Sequence, residues 1–342
     1  MRIRAVSKLI GGEILAEAIL TREKEILIPK GTELKSEYIP LIQSLEIESL
    51  MLEDPYEDYE KPHFIIQENS IKKYTESVRK LMEGHIYHEN DKSLKIFEVI
   101  ANDIVKEINS STADAILDMK ERSSNLYEHT IMVTLLSVLV GKKLKLDEQR
   151  LYNLALGCLL HDIGLRYITI PYEGRDLTTI EPAEMFEYKK HTILGYSALQ
   201  DEKWIPQISR KMILSHHENM EGTGFPMKQK YKETECRIIQ ACDAFDCYIS
   251  GMECKRMSVQ EALDIIIGNA GKKYDKAVVD NLVSTVAKYP VGTTVKTNVE
   301  ERGVVISQTV DPENPIIMIL NTDECSERNL MLEENISILG VV

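Results

Sequence analysis

Seven residues stand out for the chemistry they could do. His129, His161, His191, His216 and His217, together with Asp162 and Asp243, fall in stretches that are otherwise leucine, isoleucine, valine and alanine. An imidazole or carboxylate buried in such a stretch is costly unless its polar atoms are paired. Adjacent helical residues point about 100° apart, so the pair His216-His217 packs poorly on one face but suits a metal approached from two directions. One shared site would satisfy all seven groups at once. The set is too large for a tetrahedral zinc, which takes four ligands, whereas two ions bridged by a carboxylate leave about four protein ligands for each and room for water. Imidazole with carboxylate suits iron, manganese, zinc, cobalt or nickel. Two such ions a few Å apart are an arrangement for phosphoryl chemistry, activating water and holding phosphate oxygens. The remaining histidines, His63, His85 and His88, lie in or near a polar connector and read as surface residues.

The elements that must position these residues are helical. From about residue 66 to 286 apolar residues recur with helical spacing. NLYEHTIMVTLLSVLVGKKL carries His129, with Ser123 or Ser124 as the expected N-cap. LYNLALGCLLHD is apolar on every side and ends on His161-Asp162. Thr178 and Glu181 predict a capping box for a helix running through Met185 and His191. Pro206 opens the segment leading to His216, and CRIIQACDAFDCYIS bears Asp243.

The flanks differ in texture. Residues 1–53 read as a small α/β unit, with strands in GEILAEAIL and KEILIPKGTEL, a helix opened at Ser36 and a returning strand in IESLML. Residues 54–100 read as a linker, acidic in EDPYEDYEK, and a connecting helix. Helical residues 101–286 follow, and after Tyr289-Pro290 a period of two predicts a small β domain over 287–342. Its first hairpin is expected around Glu301-Arg302-Gly303, with a third strand in IIMIL. The expected fold is thus multidomain and mainly α: an all-helical metal-binding core between a small N-terminal α/β unit and a small C-terminal β domain.

At 342 residues with a net charge of −14, the chain is not expected to have general affinity for duplex nucleic acid or anionic lipid. Its longest apolar run, IMVTLLSVLVG, falls short of the roughly 20 residues that cross a bilayer. Six cysteines without a CxxC pair read as free thiols, and the expected location is cytoplasmic.

His129, HDIG at 161–164, His191, HHENMEGTGFP at 216–226 and DAFD at 243–246 resemble, in order and spacing, the HD-GYP phosphodiesterases of the HD-domain superfamily. The resemblance spans roughly residues 100–286 and implies an HD-type helical core that hydrolyses cyclic di-GMP. It implies that His129, His161, Asp162 and Asp243 hold one divalent metal. His191, His216 and His217 would hold a second, bridged by Asp162. Iron or manganese is the preferred pair, with zinc, cobalt and nickel as alternatives. A metal-bridging hydroxide would attack phosphorus, and Glu218 would orient a ligand histidine. Gly224, Phe225, Pro226, Arg166 and Lys255 are the substrate-side candidates. The chain departs from the family at Leu165, where a phosphate-binding lysine is expected, and at Phe225, where the tyrosine hydroxyl is lost. It departs again at Met252, in place of an arginine, and at Asn125, in place of the glutamate of trinuclear members. The resemblance therefore implies a cyclic-dinucleotide phosphodiesterase, slow or shifted in specificity. Its alternative is a catalytically weak nucleotide sensor or a module that docks a signalling partner protein.

Overall fold

The computed structural model describes residues 2–6, 9–20, 26–45, 47, 49–53, 66, 68–87, 94–112, 115–319 and 326–342. His63, His88, Cys325, the side chain of His85 and nearly all of the acidic stretch lie outside the described residues. Two units emerge, residues 64–288 and residues 1–63 with 289–342.

In the N-terminal segment β1 (Arg2–Ala5), β2 (Ile19–Leu20), β3 (Ile26–Ile28), α1 (Ile39–Ser44) and β4 (Ser49–Leu52) follow in order. β1 pairs antiparallel with β4, and β2 with β3. Leu15, Leu34, Ile42 and Leu52 fill its core. GEILAEAIL contributes less strand than its pattern predicts: beyond Ile19–Leu20 it makes only isolated bridges, Ile14 to Glu33 and Leu15 to Leu52.

The helical unit contains α2 (Glu68–Tyr87), α3 (Ile96–Ser110), α4 (Leu126–Lys143), α5 (Glu148–Leu160), α6 (Pro182–Lys189), α7 (His191–Ala198), α8 (Gln207–Ser215), α9 (Thr234–Ser250), α10 (Val259–Gly268) and α11 (Lys276–Val283). α2 and α3 belong to its core through Val78, Met82, Phe97 and Ile104. α4 is buried along most of its length. Its N-cap is Asn125, whose side chain accepts from the amides of Tyr127 and Glu128, and neither expected serine serves. The capping box at Thr178 does not form either. Pro182 bars the helical conformation to Glu181, which is extended, so α6 opens one residue later and Thr178 bonds Asp176 instead. Lys190 then caps both α6 and α7, so His191 begins a separate helix.

The last five strands are β5 (Thr294–Thr297), β6 (Arg302–Ser307), β7 (Ile316–Ile319), β8 (Glu327–Asn329) and β9 (Ile338–Val341). They form one antiparallel sheet in the order β8-β7-β6-β5-β9 around Val295, Val305, Ile317 and Leu330. Pairing of Lys296 with Arg302 and Val295 with Gly303 puts two of the three residues of the predicted turn inside β6, with Glu301 just before it. The turn falls earlier, with Glu300 at φ 63°. Gly303 serves close packing instead: a Cβ there would lie 3.0 Å from the Met318 carbonyl oxygen.

One contact fixes the centre of the helical unit. A 3₁₀ segment, Ile163–Tyr167, packs backbone to backbone on α7, and a Cβ on Gly164 would stand 1.8 Å from the His191 carbonyl oxygen. We expect Gly164→Ala to cost about 3 kcal/mol or more, at or beyond the upper end of ordinary overpacking because backbone cannot yield as a side chain does. Urea unfolding followed by circular dichroism measures it.

Candidate metal centre

Five elements deliver the seven residues. α4 presents His129, and the exit of α5 presents His161 and Asp162. α7 opens on His191, the exit of α8 carries His216 and His217, and α9 supplies Asp243. His129, His161, Asp162, His191, His216 and Asp243 are all no more than 3% exposed.

Their polar atoms converge. Asp162 Oδ2 lies 3.6 Å from His129 Nε2 and 3.4 Å from His161 Nε2. Its Oδ1 lies 3.5 Å from His191 Nε2 and 3.4 Å from His216 Nε2. Asp243 Oδ1 is 3.1 Å from His129 Nε2 and 3.6 Å from His161 Nε2, and Asp243 Oδ2 is 3.7 Å from His217 Nδ1. The two oxygens of Asp162 are thus divided between two pairs of imidazoles.

The far side of each ring decides what these atoms can hold. Nδ1 of His161, His191 and His216 lies 2.6, 2.8 and 3.0 Å from the carbonyls of Cys158, Tyr188 and Ile213. A carbonyl only accepts, so Nδ1 carries the proton and Nε2 of the neutral ring is a bare lone pair. His129 Nδ1 likewise faces Asp246 Oδ2 at 2.7 Å. Yet His129 and His161 oppose Nε2 to Nε2 at 3.3 Å, and His191 and His216 do so at 3.1 Å. Asp162 Oδ1 is buried without a hydrogen-bond partner. A centre made of acceptors fits a cation, and two candidate ligand groups, one with His191, His216 and His217 and one with His129 and His161, share Asp162.

The charge states agree with a site built for positive charge. Burial pushes the His129 ring down, but the carboxylates of Asp243 and Asp246 outweigh it and hold it up at about 10. Burial likewise opposes Glu253 at His217, whose ring stands at about 9. At His191 and His216 burial prevails and both rings stay low. Burial raises Asp162 and Asp243, yet the imidazoles around them keep both below the usual carboxylate range.

Several substrate-side expectations require correction. Glu218 does not orient a histidine; its carboxylate accepts the amides of Met227 at 2.7 Å and Gln229 at 3.1 Å. Met252 is 1% exposed and Leu165 is 2% exposed, so both are core residues rather than contacts for a base. Lys255 is exposed and, with Arg166, Gly224, Phe225 and Pro226, lies off the adjoining cavity. That cavity, about 260 Å³, is lined by His216, His217, Asp243, Glu253, Lys273 and Tyr274 among others. The loop residues still bear on the centre. A Cβ on Gly224 would sit 2.3 Å from the His217 carbonyl oxygen, and Phe225 stacks on His217 at 4.5 Å between ring centroids. Lys189 stands 5.2 Å over the Phe225 ring. Arg166 is half-buried; burial, Glu173 and Asp162 push the Tyr172 hydroxyl up, while the charge of Arg166 pulls it down.

Sequence reasoning missed Asp246 and Arg122. Asp246, fully buried, holds His129 and accepts from the guanidinium of Arg122, with Nη2 2.6 Å from Oδ1. DAFD could have shown it, since residues three apart share a helical face. Cys247 also approaches the centre, with Sγ 3.8 Å from Asp243 Oδ1. Because a metal must displace the protons that His217 and His129 keep up to about 9 and 10, affinity for a divalent ion should rise with pH through that range. Calorimetric titrations in buffers of different ionisation enthalpy would show the released protons.

The chain is similar to known proteins. Residues 104–278, more than half of the chain, match the HD domain family. A cyclic di-GMP phosphodiesterase of Pseudomonas aeruginosa, PA4108, is 28% identical over 217 residues, covering 61% of this chain and 52% of its own. One from Thermotoga maritima is 30% identical over 168 residues, covering 46% and 44%. The chain spans about half the length of the curated relatives it matches. Among solved structures, Bd1817, an HDG"Y"P protein from Bdellovibrio bacteriovorus, superposes with a TM-score of 0.55 at 20% identity, covering 82% of this chain and 97% of its own. The helical core and these matches agree: the chain belongs to the HD-domain family.

Proposed function

We propose that the helical residues 101–286 form a metal-dependent phosphodiesterase acting on a cyclic dinucleotide, cyclic di-GMP first among them. The observation that carries this reading is the division of the Asp162 oxygens between two pairs of imidazole Nε2 atoms. His129, His161, Asp162 and Asp243 would hold one divalent ion, and His191, His216 and His217 the second, with Asp162 between them. Bound there, the ions supply Lewis-acid activation of water and neutralise charge at phosphorus. The chain supplies the rest. Asp246 fixes the ring of His129, backbone carbonyls fix three others, and Phe225 shields one face of His217 from solvent. Arg166 and Lys189 are cations near the centre for phosphate oxygens, and the cavity beside His217 is a seat for a base.

A second reading has its own support. With Leu165 and Met252 in the core and a carboxylate, Glu253, in the cavity wall, the pocket lacks groups at the places where the resemblance expects phosphate contacts. A domain that binds a nucleotide without turning it over, and passes that state to a partner protein, has the same metal centre.

Anaerobic purification with metal analysis, then incubation with cyclic di-GMP and chromatography of products, separates the two. The enzyme reading expects about two iron or manganese ions per chain and a linear dinucleotide. Two ions with nucleotide affinity but no product favour the sensor. Asp162→Ala should remove metal and lower any turnover by about a thousandfold or more, the scale of losing an essential electrostatic group. Arg166→Met should raise KM about tenfold with metal content unchanged, as the loss of one charge-assisted hydrogen bond implies. An unchanged KM would remove Arg166 from the binding machinery.

A further inference from the structure

His217 is held differently from the other four imidazoles. Those direct Nδ1 away from the centre, toward a carbonyl or Asp246, and Nε2 toward it. His217 reverses the ring. Its Nδ1 faces Asp243 Oδ2 at 3.7 Å, and its Nε2 faces outward, 3.3 Å from Glu253 Oε1. A ring used this way binds a cation only if Nε2 carries the proton, and that proton needs an acceptor.

Glu253 is itself well anchored. It lies in the loop after α9, where its carbonyl accepts the Leu177 amide at 2.8 Å. Its carboxylate accepts the hydroxyl of Tyr188, which is 3% exposed. The same Tyr188 holds His191 Nδ1 through its backbone carbonyl. One tyrosine therefore ties down two imidazoles of one ligand group, His191 directly and His217 by way of Glu253. Phe225 closes the ring face. At 3.3 Å the His217 and Glu253 atoms are in ionic contact without the alignment of a hydrogen bond.

We propose that Glu253 is the positioning residue of His217, accepting its Nε2 proton so that Nδ1 is left bare toward the metal centre, with Tyr188 fixing the carboxylate. The proposal rests on reading the seven-residue cluster as a metal site. The loop that the resemblance expects to offer basic groups to a nucleotide thus offers this chain a carboxylate for its own ligand histidine.

Zinc-loaded full-length protein with ¹⁵N-labelled histidine provides the test, through two-bond ¹H–¹⁵N spectra that report which ring nitrogen carries the proton. His217, assigned by its loss in His217→Gln, should appear as the Nε2–H form, and the other four ligand histidines as Nδ1–H. Zinc titration should show Glu253→Ala weakening one of two ions by about 10- to 100-fold, the usual effect of removing a ligand's partner. Glu253→Gln, whose amide oxygen still accepts, should return affinity to within about threefold of the parent. An Nδ1–H form for His217 overturns the proposal, even if Glu253→Ala fails to fold. So does Glu253→Gln as weak as Glu253→Ala, or Glu253→Ala within about twofold of the parent. A parent protein that takes up no zinc, iron or manganese overturns the metal-centre reading itself.

Discussion

Electron pairs aimed at one another govern this fold. Two pairs of imidazole nitrogens oppose at 3.1 and 3.3 Å, with the oxygens of Asp162 between them. Left without positive charge, such a centre would drive apart the helices that carry it. The carboxylates of Asp243 and Asp246 hold a proton on His129 against burial, while at His191 and His216 burial prevails and both rings stay low. The helices around the centre therefore do two jobs: they exclude water, and they resist the repulsion of what they enclose.

The resistance is mechanical and local. Gly164 lets the segment after Asp162 lie directly on the backbone of α7, so Asp162 and His191 are fixed relative to one another by main chain. Three ring orientations are set by carbonyls three residues upstream, at places where a helix begins or ends. Helix ends leave carbonyls without intrahelical partners. Placing ligands there turns an unmet backbone need into ring alignment. His129 sits inside α4, where carbonyls are already engaged, and it has to borrow a carboxylate from α9.

Much of this was legible in the sequence because buried polar residues in apolar stretches are conspicuous. All seven ligand candidates converge, and the helical core matches its pattern. What escaped depends on contacts between segments remote in sequence. The resemblance implied Glu218 as a partner for a histidine, but the amides of residues 227 and 229 claim it. Asp246 and Glu253 took those roles, one from the next face position of a helix and one from a loop whose residues invited comparison by charge alone. The errors at helix starts have a local cause: Asn125 out-competes the serines before it, and Pro182 forbids the box at Thr178. The hairpin forms where its pattern suggests, but its turn falls just before Arg302, because Gly303 gives room to a neighbouring strand.

The loop between His217 and Gln229 is drawn in on itself, with Glu218 collecting two of its amides and the Phe225 amide bonded to the His217 carbonyl. Its order is therefore set when the chain folds, independently of any ligand. A molecule entering beside His217 meets a finished wall and need not spend interaction energy on arranging one. Association should then proceed as the docking of rigid surfaces.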